Sequence, residues 1–328
     1  MKRARQYGLS LIELMIALTI GMFLVLGVLY VYSSSRASYA TNDAGARVQE
    51  DGRFALERLT REIRMAGYMG CASGLSNPNV IADPVKYPIT FIPGDGINIF
   101  DGGVAGGWVN PTAVVQVANT DVIVIKGMGS CTAALTGNMG TDNANIQIGV
   151  NVCGWAAEDV LIISDCVSAD VFAATNVSVG SVTIAHSNAE NITPKLSKPY
   201  GTDAIVGKYQ ETTFFVGVTP EGQPALYELQ YNGKTYGVPQ AVAGNVYDLQ
   251  ALVNLDSDGD GDVDQAGQAP AASNWNQTLS VELVYSVRSE DGTAGTVSQT
   301  YSYNGANVTD RRIRRNFGTV VGVRNRLP

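Results

Sequence analysis

The chain has 328 residues, a formal net charge of -8, 45% hydrophobic and 16% charged side chains, and a single His beside four Cys. That length and hydrophobic content suffice for a packed core and exclude a disordered or collagen-like chain. One His leaves little material for a zinc centre or a His-based triad, and the acidic balance opposes general nucleic-acid binding. The charge is laid out unevenly: residues 1–64 balance to +3, residues 65–310 to -17, and the last 18 residues, with six Arg and no acid, to +6.

The chain opens with Met1 to Gly8, which holds Lys2, Arg3 and Arg5 and no acid. Leu9 to Tyr32 is apolar or small apart from Glu13, and Leu14 to Ser35 is uncharged. About 20 such residues span a bilayer as a helix. The tract exceeds a secretory h-region, and no A-x-A cleavage site follows it. Basic residues ahead of it place the N-terminus in the cytoplasm and the rest of the chain outside.

Glu13 is the informative residue. A carboxylate in such a helix costs about 2.5–3.5 kcal/mol to insert, so it marks a partner or a function. The run Gly8-Leu9-Ser10-Leu11-Ile12-Glu13-Leu14 resembles the prepilin processing site of type IV pilins and type II secretion pseudopilins, with Leu9 where Phe is usual. The resemblance implies cutting by prepilin peptidase between Gly8 and Leu9 and N-methylation of Leu9. It also implies that Glu13 sets register by pairing with the N-terminal ammonium of a neighbouring subunit.

Leu56, Leu59, Ile63 and Ala66 then fall at spacings of three and four, an apolar stripe that carries the helix onward. Gly67 is the expected stop. A helix from Leu9 to Ala66 would be about 87 Å long at 1.5 Å per residue. The expected division is 1–8 leader, 9–35 transmembrane half, 36–67 amphipathic half docked on the head, and 68–328 exported head.

After Cys71 the sequence reads as loop to about Pro111, with Pro and Gly pairs throughout. Strands are expected at 113–118, 121–126, 159–164, 177–184, 212–218, 225–231, 247–255, 280–287, 297–303 and 317–323. Val281, Leu283, Tyr285 and Val287 alternate most clearly, as a half-buried strand does. No internal repeat is visible.

Cys71, Cys131, Cys153 and Cys166 all follow the apolar tract, and an even count in an exported head predicts two disulfides. Spacing leaves three connectivities open. His186 ends a strand with no nucleophile motif near it, the setting of a structural residue.

Asp256, Asp258, Asp260, Asp262 and Asp264 alternate through one loop, with Gly261 at the sixth position. This spacing resembles a calcium loop in which the first three Asp give side-chain oxygens, Asp262 its carbonyl, and Asp264 a further ligand. Gly267 stands where an EF-hand has its bidentate Glu. A structural Ca2+ is therefore an expected ligand, and no cofactor is required. The Arg-rich end, Arg311 to Arg326, is read as pairing with the acidic head or a neighbouring subunit, not with nucleic acid.

The N-terminal motif, Arg64-Met-Ala-Gly-Tyr68 with Cys71, Ser164-Asp-Cys166, the Asp loop and Arg324-Asn-Arg-Leu-Pro328 together resemble PilW-type minor pilins. The resemblance implies an α+β, type IV pilin-like fold: a long N-terminal transmembrane and amphipathic helix packed on a large antiparallel β-sheet head. It also implies disulfides Cys71–Cys166 and Cys131–Cys153. Further, it implies a non-enzymatic subunit that primes pilus assembly at or near the tip and supports twitching and adhesion. The implied partners are prepilin peptidase, other minor pilins, the major pilin, a large tip adhesin and inner-membrane lipid. The implied location is the bacterial inner membrane, with a cytoplasmic N-terminus and periplasmic head, and then the extracellular pilus. Two alternatives are a J-type pseudopilin of a type II secretion system and a membrane-tethered exported hydrolase.

Overall fold

The computed structural model describes residues 10–71, 78–91, 96–102, 107–178, 182–290, 292 and 294–326. Its first element is one α-helix, α1 (Leu11–Arg64), 54 residues and so about 81 Å long. The helix closes through a turn at 65–67, with Gly67 at φ +72° in the left-handed region that glycine occupies at helix ends.

Seventeen strands follow among the described residues. The first eight are β1 (Asn79–Val80), β2 (Ile97–Phe100), β3 (Val122–Ala134), β4 (Ile146–Gln147), β5 (Val160–Ser164), β6 (Ala169–Ala173), β7 (Asn176–Val177) and β8 (Thr183–Ala185). Then come β9 (Ile205–Val218), β10 (Pro224–Tyr231), β11 (Gln240–Gly244), β12 (Val246–Leu255) and β13 (Gln265–Gln268). The last four are β14 (Thr278–Arg288), β15 (Gln299–Tyr303), β16 (Ala306–Asp310) and β17 (Arg314–Gly322).

The expected antiparallel β head on a long helix is present, and its strands form two main sheets. An eight-stranded sheet runs β1-β6-β5-β9-β10-β11, with β3 also paired to β9 and β2 to β3. A four-stranded sheet runs β13-β12-β14-β17. The chain passes from the first to the second at Asn245, whose φ of +60° turns it sharply between β11 and β12. Asn tolerates that conformation better than most residues. The pairing is antiparallel except between β1 and β6, which is parallel.

Helix and both sheets share one core. Val48, Ala55, Leu59, Ile63 and Ala66 of the helix segment pack with Phe214 and Leu226 of the larger sheet and with Leu249, Leu283 and Tyr285 of the smaller. Val281, Leu283, Tyr285 and Val287 all face inward, as their alternation requires. A second core gathers Trp155, Phe172, Ile184 and Tyr200 under the three-stranded sheet β4-β8-β7.

Two expected strands differ. The stretch at 113–118 makes only one isolated bridge, Gln116 to Gly217. Ahead of it, the Asn110 and Thr112 side chains bond to nearby backbone groups and bend the chain out of a ladder. The described residues around 177–184 belong to two short antiparallel strands and not one, with Val177 opposite Ile184.

Candidate functional site

The helix carries two surfaces in sequence. From Leu11 to Ala40 its apolar side chains stand outside the head, with Phe23 75% and Leu18 65% exposed. As far as Tyr32 it is apolar all round apart from Glu13 and Thr19, as a bilayer or a bundle of helices requires; Ser33 to Ser38, with Arg36, is polar. Contact with the head begins at Thr41, whose hydroxyl donates to the Ala294 carbonyl at 2.9 Å.

Glu13 lies at the first turn. Its carboxylate accepts from the Ser10 amide and hydroxyl, both at 2.9 Å, while the Glu13 amide donates to the Ser10 hydroxyl at 3.3 Å. This reciprocal pair is a capping box. The sequence reading missed it, although Ser10-x-x-Glu13 is its signature. Gly8 and Leu9 lie outside the described residues.

The docked half is held by shape and by charge. A side chain at Gly52 would meet Phe317, since a Cβ there would sit 2.1 Å from the ring. Phe317 stacks on Tyr285, whose hydroxyl donates to the Gly52 carbonyl at 2.5 Å. Gly52 is therefore a contact point for the aromatic pair. About four turns of helix later, the Asn325 side chain donates to the Ala66 carbonyl at 2.9 Å and ties the C-terminal segment to the helix end. Arg58 reaches Glu62 on the helix and, with two nitrogens at 2.8 Å, the Glu228 carboxylate on β10. Burial pushes the Glu228 carboxyl up, but the hydrogen bonds from Arg58 and Gln230 outweigh it and hold it below the usual carboxylate value.

The Asp loop connects β12 to β13. Oxygens of Asp256, Asp258 and Asp260 lie within 4.8 Å of one another. Asp256 accepts from the Gly259 and Gly261 amides at 2.6 and 2.9 Å. Both glycines have positive φ, +83° and +90°, which folds the loop back on this carboxylate. A hydrogen bond donated by the Asp260 amide favours ionised Asp258, yet the charges of Asp260, Asp264 and Asp256 outweigh it and raise its pKa. Asp264 stands apart: the Ser257 hydroxyl and amide bind it at 2.6 and 2.8 Å and keep its pKa low. The structure thus brings together three of the five Asp carboxylates, and those three could surround a hard cation. Asp262 contributes its amide to Asp260 at 2.8 Å.

The cysteines join as Cys71–Cys166 and Cys131–Cys153, across 95 and 22 residues of chain. The first ties the chain just beyond the helix to the turn between β5 and β6. At the Arg-rich end, Arg312 and Arg314 pair with Asp310 at 3.2 and 3.0 Å, and Arg314 also lies 4.0 Å from the Tyr301 ring centre. Burial raises the Asp310 carboxyl, but bonds from Arg312, Tyr301 and Arg314 prevail and lower it. These two arginines therefore serve their own head. His186 is buried between the Pro194 and Ala144 carbonyls, its ring edge against Phe172. That is a structural setting.

Residues 213–325 match the family described as Type IV Pilus-assembly protein W, and residues 3–29 match the prokaryotic N-terminal methylation motif. The first match covers the last six residues of β9 and all of β10 to β17, which includes the Asp loop and the Arg-rich end. No curated protein and no solved structure matches the chain significantly.

Proposed function

We propose that this chain, a PilW-like type IV pilin, is a minor pilin that primes pilus assembly and enters the filament at or near its tip. One combination supports the reading: a helix whose first half is apolar and outside the head, led by a methylation motif, on a head matched to a pilus-assembly family. Prepilin peptidase cuts between Gly8 and Leu9 and leaves Leu9 methylated. The helix stays in the inner membrane with its N-terminus cytoplasmic and the head in the periplasm until assembly draws it out. There it packs among other minor pilins and the major pilin, supports a large adhesin, and contributes to twitching and adhesion.

Glu13 acts at assembly. Buried among apolar helices, its charge needs a partner, and the new N-terminal ammonium of a neighbour supplies one. The Ser10 groups keep the carboxylate satisfied until then. The loop of Asp256, Asp258 and Asp260 takes a structural Ca2+ that orders the β12–β13 connection. A rise in melting temperature of the full chain on adding calcium, absent in Asp258→Asn, checks that ligand.

The matched family is a pilus-assembly component, which favours this role over a J-type pseudopilin. Deleting the gene tests the choice. Loss of pili and twitching with protein secretion intact is the expected result; lost secretion with normal pili would contradict it.

A further inference from the structure

A groove of about 1050 Å³ runs beside the docked half of the helix, bounded by Arg53, Arg61, Arg64, Gln210, Thr319 and Arg324. Arg58, which also lines it, is taken up by the carboxylates of Glu62 and Glu228. Among the described residues the other four arginines have no carboxylate within ion-pair distance, although the chain as a whole carries -8. Arg53, Arg61 and Arg64 fall within an arc of about 80° on the helix, at 100° per residue. Phe54 and Met65 add apolar surface to the same groove, 54% and 41% exposed.

We infer that this groove docks an acidic, partly apolar segment of a neighbouring pilus subunit, so that its arginines select which subunit sits beside this one. The inference rests on the minor-pilin reading above. Charge complementarity identifies the occupant: uncompensated arginines beside apolar side chains fit a segment that alternates Asp or Glu with hydrophobic residues. An anionic lipid fits poorly. Arg53 lies 18 residues, about 27 Å of helix, beyond Ser35 at the end of the uncharged tract, more than twice the Debye length of ~10 Å. Nucleic acid fits poorly as well, because Glu57 and the exposed Phe54 and Met65 interrupt the positive surface.

The test places the photocrosslinker p-benzoylphenylalanine at Phe54 of the full-length chain in its own cells, with adducts identified by mass spectrometry. The expected product joins this chain to a different pilin subunit through a segment rich in Asp or Glu. Its yield should fall at least ten-fold in Arg61→Glu/Arg64→Glu and in Arg324→Glu. It should stay unchanged in Arg311→Glu, an exposed arginine outside the groove, and return when the partner's acids are changed to Lys. Arg324→Glu guards against a helix effect, since that residue is not on the helix; leader cleavage and protease resistance of the head report folding in each variant. An adduct to phospholipid, to nucleic acid or to a second copy overturns the inference, as does a yield that ignores the charge reversals. If gene deletion leaves piliation normal, the minor-pilin reading itself fails; if deletion abolishes pili but the reversals change nothing, only the groove assignment fails.

Discussion

The two halves of the one helix are built to opposite rules. Leu11 to Tyr32 is apolar around its circumference apart from Glu13 and Thr19 and is outside the head, whereas the segment from Thr41 to Ala66 buries one face, Val48, Gly52, Ala55, Leu59, Ile63 and Ala66, and keeps Arg and Glu on the others. An all-round apolar helix needs a bilayer or other helices as its solvent; a striped helix needs a single surface. The difference separates a surface made for apolar surroundings from one that holds the head.

Substitutions should divide along the same line. The largest effect belongs to Leu59→Ala, which empties a fully buried site in the core shared by helix and sheets. Thermal unfolding of the full chain in detergent should show a loss of about 2–5 kcal/mol. Glu228→Gln breaks a two-point bond to Arg58 and should cost about 1.5–3 kcal/mol. It should also alter the pH response. Glu228, Asp165 and Asp310 all have lowered folded-state pKa values, so the stability they contribute is complete above the ordinary carboxylate value and is lost as pH falls below it. Melting temperature should fall from pH 5 toward pH 3, and less steeply in Glu228→Gln. Asp121 works in the opposite sense. Burial pushes it up to about 6, so its ionisation costs stability as pH rises from about 4 to that value.

Gly52→Ala comes next, at about 1–3 kcal/mol, because the new methyl group must displace the Phe317 ring. Leu18→Ala, in the exposed half, should change head stability by less than about 0.5 kcal/mol. A destabilisation by Leu18→Ala as large as that of Leu59→Ala would erase the contrast between the halves.

Much of this contrast is legible in the sequence because both halves follow helical periodicity. The stripe from Leu56 to Ala66 points inward, and Gly67 lies at the turn that ends the helix. The sheets were harder to read. Strand β6, Ala169 to Ala173, is buried on both faces, so it shows no alternation, and Asp170 interrupts its apolar run. Asp170 is accommodated by bonds from Asn79, Ser197 and Tyr200, groups far apart in sequence that only the fold assembles. Hairpin β15–β16 was readable and overlooked: Asn304-Gly305, at φ +51° and +75°, is a strong two-residue turn signal. The division into two sheets turns on Asn245, one residue whose backbone conformation no periodicity reveals. At the candidate site, the Asp spacing announced a loop, but the capture of Asp264 by Ser257 depends on folded geometry.

The direct measurement of the central claim is a count of pili on cells carrying Glu13→Ala in the full-length chain. The carboxylate is far from the head, so the variant should insert, be cleaved and keep the wild-type melting temperature, yet leave cells with few or no pili. Wild-type pilus numbers in cleaved, folded Glu13→Ala would contradict the account.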